Sequence, residues 1–266
     1  MDLAYIVSGL SVGVLVGLTG VGGGSLMTPL LVFLFGFAPT TAVGTDLLFA
    51  AITKSGGVAV HHNSHGSVEW KIVGLLCAGS LPGALAVIFI LKFFDIPQKE
   101  LATVMSHSLG VALILTSLAL FFRNRLKKAG FETESHQPGR FHHLQGPTTI
   151  LVGLGLGILV TLSSVGAGAL GTVALFFLYP RLPTLKIVGT DLAHAIPLTT
   201  VAGLGHLYMG NVDFVLLGSL LVGSLPGIWV GSHLSAKIPE SILRPMLASV
   251  LMLIGLKFVW PIIARF

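Results

Sequence analysis

Ten apolar stretches follow one another along the chain, at about 3–18, 26–37, 43–60, 70–94, 100–122, 148–163, 168–179, 187–208, 214–235 and 241–264. A helix that crosses a bilayer needs roughly 20 apolar residues. The stretches at 70–94, 100–122, 214–235 and 241–264 meet that length with room for tilt. Those at 26–37 and 168–179 are short for a crossing at roughly 1.5 Å of rise per residue. Each follows a glycine-rich break, so a half-helix is expected there as readily as a short crossing.

Composition turns this pattern into a compartment. Of the 266 residues, 53% are hydrophobic and 9% charged, against about 25% charged in a soluble domain. Too few polar side chains remain to cover a water-facing surface, so an all-α polytopic membrane protein of the cell (inner) membrane is expected. The formal charge of +5 would suit nucleic acid, but the basic residues lie between apolar stretches rather than on a soluble face. They read as topology determinants. Cys77 is the single cysteine, which excludes an intramolecular disulfide. The first apolar run lacks a basic lead and a small-x-small exit, so it is not read as a signal peptide.

The two halves match each other. Residues 18–34 align with 162–178 at an offset of 144, pairing LTGVGGGSLMT with LSSVGAGALGT. VGTDL at 43–47 returns unchanged at 188–192, and GSLPG at 79–83 returns unchanged at 223–227. His61 pairs with His206. Two identical pentapeptides in the same order imply two homologous helical repeats with glycine-broken helices, 1–122 and 148–266, joined by a basic connector at 123–147. Whether each half is counted as five crossings or three, the number is odd, and an odd unit inserts its second copy upside down. A single broken helix over 3–37 would give an even count and parallel repeats; the charges favour inversion. Arg123, Arg125, Lys127, Lys128 and Arg140 place the connector in the cytoplasm. With it inside, Lys71, Arg181, Lys186, Lys237 and Arg244 fall at cytoplasmic ends, and Lys92, Lys99, Lys257 and Arg265 outside. Trp70, Tyr179, Tyr208 and Trp260 fall near segment ends, where headgroups favour amphipathic rings. Trp229 falls in mid-segment and is expected to pack internally.

Candidate chemistry gathers at the breaks. Gly20-Val21-Gly22-Gly23-Gly24 and Ser164-Val165-Gly166-Ala167-Gly168 allow unusual backbone angles and close approach. Non-helical backbone survives in a bilayer only inside protein or beside a wet cavity. The half-helix beyond each break would present free N–H groups and a positive dipole end to an anion, with hydroxyls from Thr19, Ser25, Ser163 and Ser164. Tight helix packing through small residues is the competing reading. Asp46 and Asp191, in the two VGTDL motifs, are ionisable groups in apolar surroundings and hence candidate proton carriers. The alternative is that each caps a helix start. Thr45 and Thr190 beside them are candidates for capping or ligand contact. Lys54 attracts an anion, pairs with a carboxylate, or snorkels to an interface; its counterpart at the 145 offset is Thr199. His61, His62 and His65 have a metal-like spacing but no acidic or thiol partner, so surface positions are expected. His206, through its pairing with His61, and His194, three residues after Asp191, are candidate relay groups. Pro29, Pro82, Pro197 and Pro226 are expected to kink their helices. No catalytic set emerges, so no enzyme, cofactor or metal is expected.

GLTGVGGGSLMTPLL, then AVGTDLLFAAITKSGG and GSLPGA, together resemble the sulfite exporter TauE/SafE family of permeases. The resemblance spans nearly the whole chain. It implies two repeated helical halves and a link to export or uptake of sulfite, organosulfonates and related sulfur compounds. Its glycine signature falls on Gly20, Gly22, Gly23 and Gly24, with Pro29 after it. Secondary active export of a small sulfur-containing anion, linked to protons, is the resulting expectation; a channel-like ion conductor is the alternative. The partners are the anion and the lipid bilayer, without nucleic acid, and the oligomeric state is left open with a homodimer as one option.

Overall fold

A computed structural model describes residues 3–19, 24–65, 67–94, 96–136, 140–235 and 240–263. Those residues form ten helices: α1 (Leu3–Thr19), α2 (Gly24–Phe33), α3 (Pro39–His65), α4 (Trp70–Phe93), α5 (Gln98–His136), α6 (Arg140–Ser163), α7 (Ala169–Leu178), α8 (Thr184–Tyr208), α9 (Phe214–Ser235) and α10 (Glu240–Ile263). No strand occurs among the described residues. Five of the helices hold spans long and apolar enough to cross a bilayer: Trp70–Phe93, Gln98–Arg123, Leu144–Ser163, Thr184–Tyr208 and Phe214–Gly231.

The short apolar stretches fold as the short helices α2 and α7, of 10 residues each. That is about 15 Å of rise, half of a hydrocarbon core of about 30 Å. The connector differs from a simple loop. Helix α5 runs on through Arg123 and Arg125 to His136, and α6 starts at Arg140. Arg123 lies over the Phe176 ring at 4.5 Å, which anchors the start of this extension to α7.

Polarity is turned outward-in, as lipid solvent requires. Phe89, Leu151, Val215, Leu253 and Trp260 are exposed, whereas Asp46, Lys54, Asp191, His194 and His206 are buried. Trp229 does not pack inside. It is 66% exposed and lies against His233, with ring centroids 4.5 Å apart.

Glycine decides which helices meet. Helix α1 crosses α9 so closely that a Cβ at Gly9 or Gly13 would strike the backbone of Leu220 or Ser224. Side chains at Gly223 and Gly227 would strike Ile6 and Leu10 in return. Helices α4 and α6 repeat this arrangement: Gly79 and Gly83 face Ile150 and Leu154, and Gly153 and Gly157 face Leu76 and Ser80. GSLPG is therefore a contact surface on which another helix rests at backbone distance. In lipid, where apolar side chains gain little by leaving their surroundings, such close approach is a main source of helix association. Helices α3 and α8 pack together, and α10 packs on α5.

Candidate functional site

Helices α3 and α8 carry VGTDL, and its residues divide the work by position. Gly44 and Gly189 let the lead-in segments of α9 and α4 press close, with the carbonyls of Asn211 and Ser67 against them. One residue on, Thr45 accepts a hydrogen bond from the Asp213 N–H at 3.1 Å. Thr190 accepts from the Glu69 N–H at 3.0 Å. These hydroxyls thus serve the residues just before α9 and α4. The Asp213 carboxylate caps α9 itself, accepting from the N–H groups of Val215 and Leu216, each at 2.9 Å.

The next residue turns inward. Asp46 Oδ2 accepts from the Thr28 hydroxyl of α2 at 2.5 Å, and Asp191 Oδ2 accepts from the Thr172 hydroxyl of α7 at 2.7 Å. Each long helix is thereby tied to its neighbouring short one. Neither carboxylate caps a helix start, because α3 begins at Pro39 and α8 at Thr184, two turns earlier. Apolar periodicity began those helices too late and made the capping reading attractive. The Oδ1 atoms of both carboxylates are buried and have no hydrogen-bond partner among the described residues.

The break between α6 and α7 lies next to this pair of helices. Ser164, Gly166 and Gly168 have φ of 60°, 119° and 128°, so the chain reverses its helical sense in three places within five residues. Ser163 steadies the turn, donating to Leu159 O at 2.6 Å and accepting from Val165 N–H at 3.2 Å. The N–H groups of Gly166, Ala167 and Gly168 donate to nothing among the described residues. They stand at the positive end of the α7 dipole. The Ser164 hydroxyl lies beside Asp46 without a partner of normal hydrogen-bond geometry.

Lys54 joins the two parts. It is 6% exposed, and its Nζ donates to the Ala167 carbonyl at 2.8 Å. Snorkelling is overturned, because the ammonium reaches into the bundle rather than out of it. It interacts electrostatically with both Asp46 and Asp191. Thr199, its counterpart, donates to Ala195 O of its own helix at 2.8 Å.

His194 is buried and shares a hydrogen bond with Ser80 of α4 through Nε2 at 2.8 Å, rather than with Asp191; its Nδ1 has no partner among the described residues. His206 donates through Nε2 to Thr161 O at 2.9 Å. The side chains of His61, His62, His65, Thr19 and Ser25, and the whole of Gly20, Val21, Gly22 and Gly23, lie outside the described residues; Gly24 opens α2. No group of three metal-ligating side chains occurs among the described residues. Thr28 and Thr172, the direct partners of the carboxylates, escaped selection as site residues. Their signal was their match at the 144 offset beside the breaks.

A lipid-facing helical bundle with a buried lysine, two buried carboxylates and a broken helix at its centre is a multi-pass membrane transporter. The chain belongs to the sulfite exporter TauE/SafE family, whose model matches residues 5–258. It is 39% identical over 263 residues to the probable membrane transporter protein YjnA of Bacillus subtilis, covering 97% of this chain and 100% of that one. The probable membrane transporter protein YdhB of the same organism is 28% identical, over 91% of this chain and 96% of its own. The probable membrane transporter protein MJ0441 of Methanocaldococcus jannaschii is 25% identical, over 94% and 92%. No solved structure matches this chain.

Proposed function

We propose that this permease moves a small sulfur-containing anion, such as sulfite or an organosulfonate, through a site between the α6–α7 break and the VGTDL carboxylates, and that protons are linked to its movement. The observation that carries this reading is the meeting of Lys54 with Ala167. A buried ammonium stands where the N–H groups of Gly166, Ala167 and Gly168 have no partner among the described residues and the Ser164 hydroxyl lies beside Asp46. A sulfonate or sulfite head has three oxygens to accept from such donors, and its charge opposes the ammonium and the α7 dipole. Asp46 and Asp191 are the proposed proton carriers, with His194 near them and His206 and His61 in paired positions. Gly22, Gly23, Gly24, Thr19 and Ser25 are proposed to form the matching wall from the first half. Export is the direction that the family description suggests.

We also propose that the halves 1–122 and 148–266 are inverted copies with the 123–147 connector in the cytoplasm. Contacts at matching offsets support the repetition, which inverted and parallel copies share: Thr28–Asp46 with Thr172–Asp191, Thr45–Asp213 with Thr190–Glu69, and the α1–α9 crossing with the α6–α4 crossing.

The test is flux in proteoliposomes with sulfite, sulfate, methanesulfonate and taurine, under imposed pH gradients. Saturable flux of a sulfur anion that responds to the gradient supports the reading. Flux of unrelated ions without saturation points instead to a channel.

A further inference from the structure

We propose that Gly171 is a positioning residue for the anion site: having no side chain, it seats the Asp191 carboxylate on α7, and through that seat the turn at 166–168 keeps its shape. This rests on the reading of the site given above.

The seat shows in what a side chain would meet. A Cβ built at Gly171 would fall on Asp191 Oδ1 and stand 2.9 Å from its Cγ, and the three nearest atoms all belong to Asp191. The backbone itself does not ask for glycine here, since Gly171 is not among the residues with positive φ. Glycine within a helix costs about 0.5–1 kcal/mol relative to alanine, so the space is what it contributes. Oδ1 meets a glycine α-hydrogen, which is a weak partner, and so has no conventional hydrogen bond. Oδ2 reaches the next residue and accepts from the Thr172 hydroxyl at 2.7 Å. The carboxylate thus spans two successive residues in the first turn of α7.

Those same two residues hold the break. The Gly171 N–H donates to Gly166 O at 3.3 Å, beside the Leu170 N–H at 3.1 Å. Lys54 donates to Ala167 O at 2.8 Å. The Thr172 hydroxyl is shared between Asp191 Oδ2 and the Gly168 carbonyl. Each carbonyl of the turn is therefore taken by a named donor. A peptide unit is planar and trans, so its N–H points opposite to its carbonyl. Fixing the carbonyls of Gly166 and Ala167 aims the N–H groups of Ala167 and Gly168, which the anion reading uses as donors. Pushing Asp191 off Gly171 disturbs Gly171 and Thr172 together, and with them two of the three carbonyls.

The first half lacks this seat. At the 144 offset Met27 stands in the place of Gly171, and it is buried, with Thr28 in the place of Thr172. Asp46 keeps the threonine contact, but the residue before that threonine carries a side chain, and the Ser164 hydroxyl lies beside Asp46.

The experiment uses purified protein and proteoliposomes, with methanesulfonate and sulfite as probes. In Gly171→Ala, half-saturation of flux and the anion concentration that raises the unfolding temperature should both rise by about tenfold to hundredfold, the scale of an ångström-sized misplacement of oriented groups. Gly74→Ala, whose Cβ would meet nothing within 4 Å, should leave both unchanged. The decisive comparison adds Asp191→Ala. With the carboxylate gone, Gly171→Ala should cost no further stability, because the clash it creates needs Asp191. Additive losses overturn the inference and reduce Gly171 to helix packing. Wild-type affinity and flux in Gly171→Ala overturn it as well, and leave the anion reading standing. Should Gly171→Ala yield no folded protein, Asp191→Ala in the same chain should restore it, and failure to restore it overturns the seat. Absence of binding and flux for both probes in the wild-type protein overturns the anion reading and the positioning role with it.

Discussion

Lys54 and Ala167 lie 113 positions apart in the chain, yet the Lys54 ammonium donates to the Ala167 carbonyl at 2.8 Å. That bond fastens the middle of α3 to the turn that opens α7. It also places a positive charge beside two carboxylates that would otherwise share a buried space unopposed.

Lys54→Met should therefore damage both stability and transport. Removing one partner of a buried charged set costs about 3–5 kcal/mol, because the remaining charges lose their compensation. Thermal unfolding in detergent should show the loss, and anion flux should fall to background. Lys54→Thr, which installs the residue found at position 199, should behave the same way. Wild-type flux in either variant would remove Lys54 from the site.

Thr28→Val and Thr172→Val keep the shape of the side chain and delete its donor. Each should cost about 1–3 kcal/mol, since a buried carboxylate oxygen is left unsatisfied. Thr→Ser at either place should restore most of that stability. Guanidinium-free thermal scans of the purified variants, read alongside flux, would separate loss of the hydrogen bond from loss of packing.

Ser164 adopts φ of 60° without being a glycine. Ser164→Gly should be tolerated by the backbone or slightly stabilise it, because an L side chain in this region costs about 1–2 kcal/mol. Ser164→Val should destabilise the break, as branching at Cβ aggravates the same clash. If Ser164→Gly folds well but binds the anion more weakly, the hydroxyl contributes directly to the ligand.

Packing makes a sharp distinction between glycines on one helix. At Gly79 a new Cβ would run into the Ile150 carbonyl, whereas at Gly74 it would meet nothing within 4 Å. Gly79→Ala should push α4 from α6 and lower the unfolding temperature. Gly74→Ala should leave it unchanged or raise stability by about 0.5–1 kcal/mol through backbone entropy. Similar behaviour of the two variants would count against the close α4–α6 crossing.

For the proposed topology, Cys77 is first replaced by serine, and single cysteines are then placed at Lys128 and Leu3. An impermeant thiol reagent should reach position 128 only from the cytoplasm and position 3 only from outside. Labelling of position 128 from outside would overturn the inverted arrangement.

The membrane class and the special standing of VGTDL and GSLPG were readable from the chain, because apolar length and repetition are one-dimensional signals. Their separate duties were not. Gly44 and Gly189 accept neighbouring backbone, Thr45 and Thr190 serve the starts of α9 and α4, and only the aspartates reach the short helices α2 and α7. Periodicity also misplaced the aspartates. The polar residues Thr40, Thr41 and Thr184 lie within the first turns of α3 and α8, and they hid where those helices begin.

By itself, the sequence determined an all-helical chain for lipid, two short helices after glycine breaks, and a buried charge that had to find partners. Those follow from transfer energies and backbone freedom, which each residue carries wherever it goes. Tertiary structure alone decided who the partners are. Thr28 and Thr172 meet Asp46 and Asp191, Lys54 meets Ala167, and Ser80 meets His194, because glycine faces let α1 rest on α9 and α4 on α6 at backbone distance. The depth of those crossings sets which side chains come within hydrogen-bond reach, and a spacing along the chain does not contain that depth.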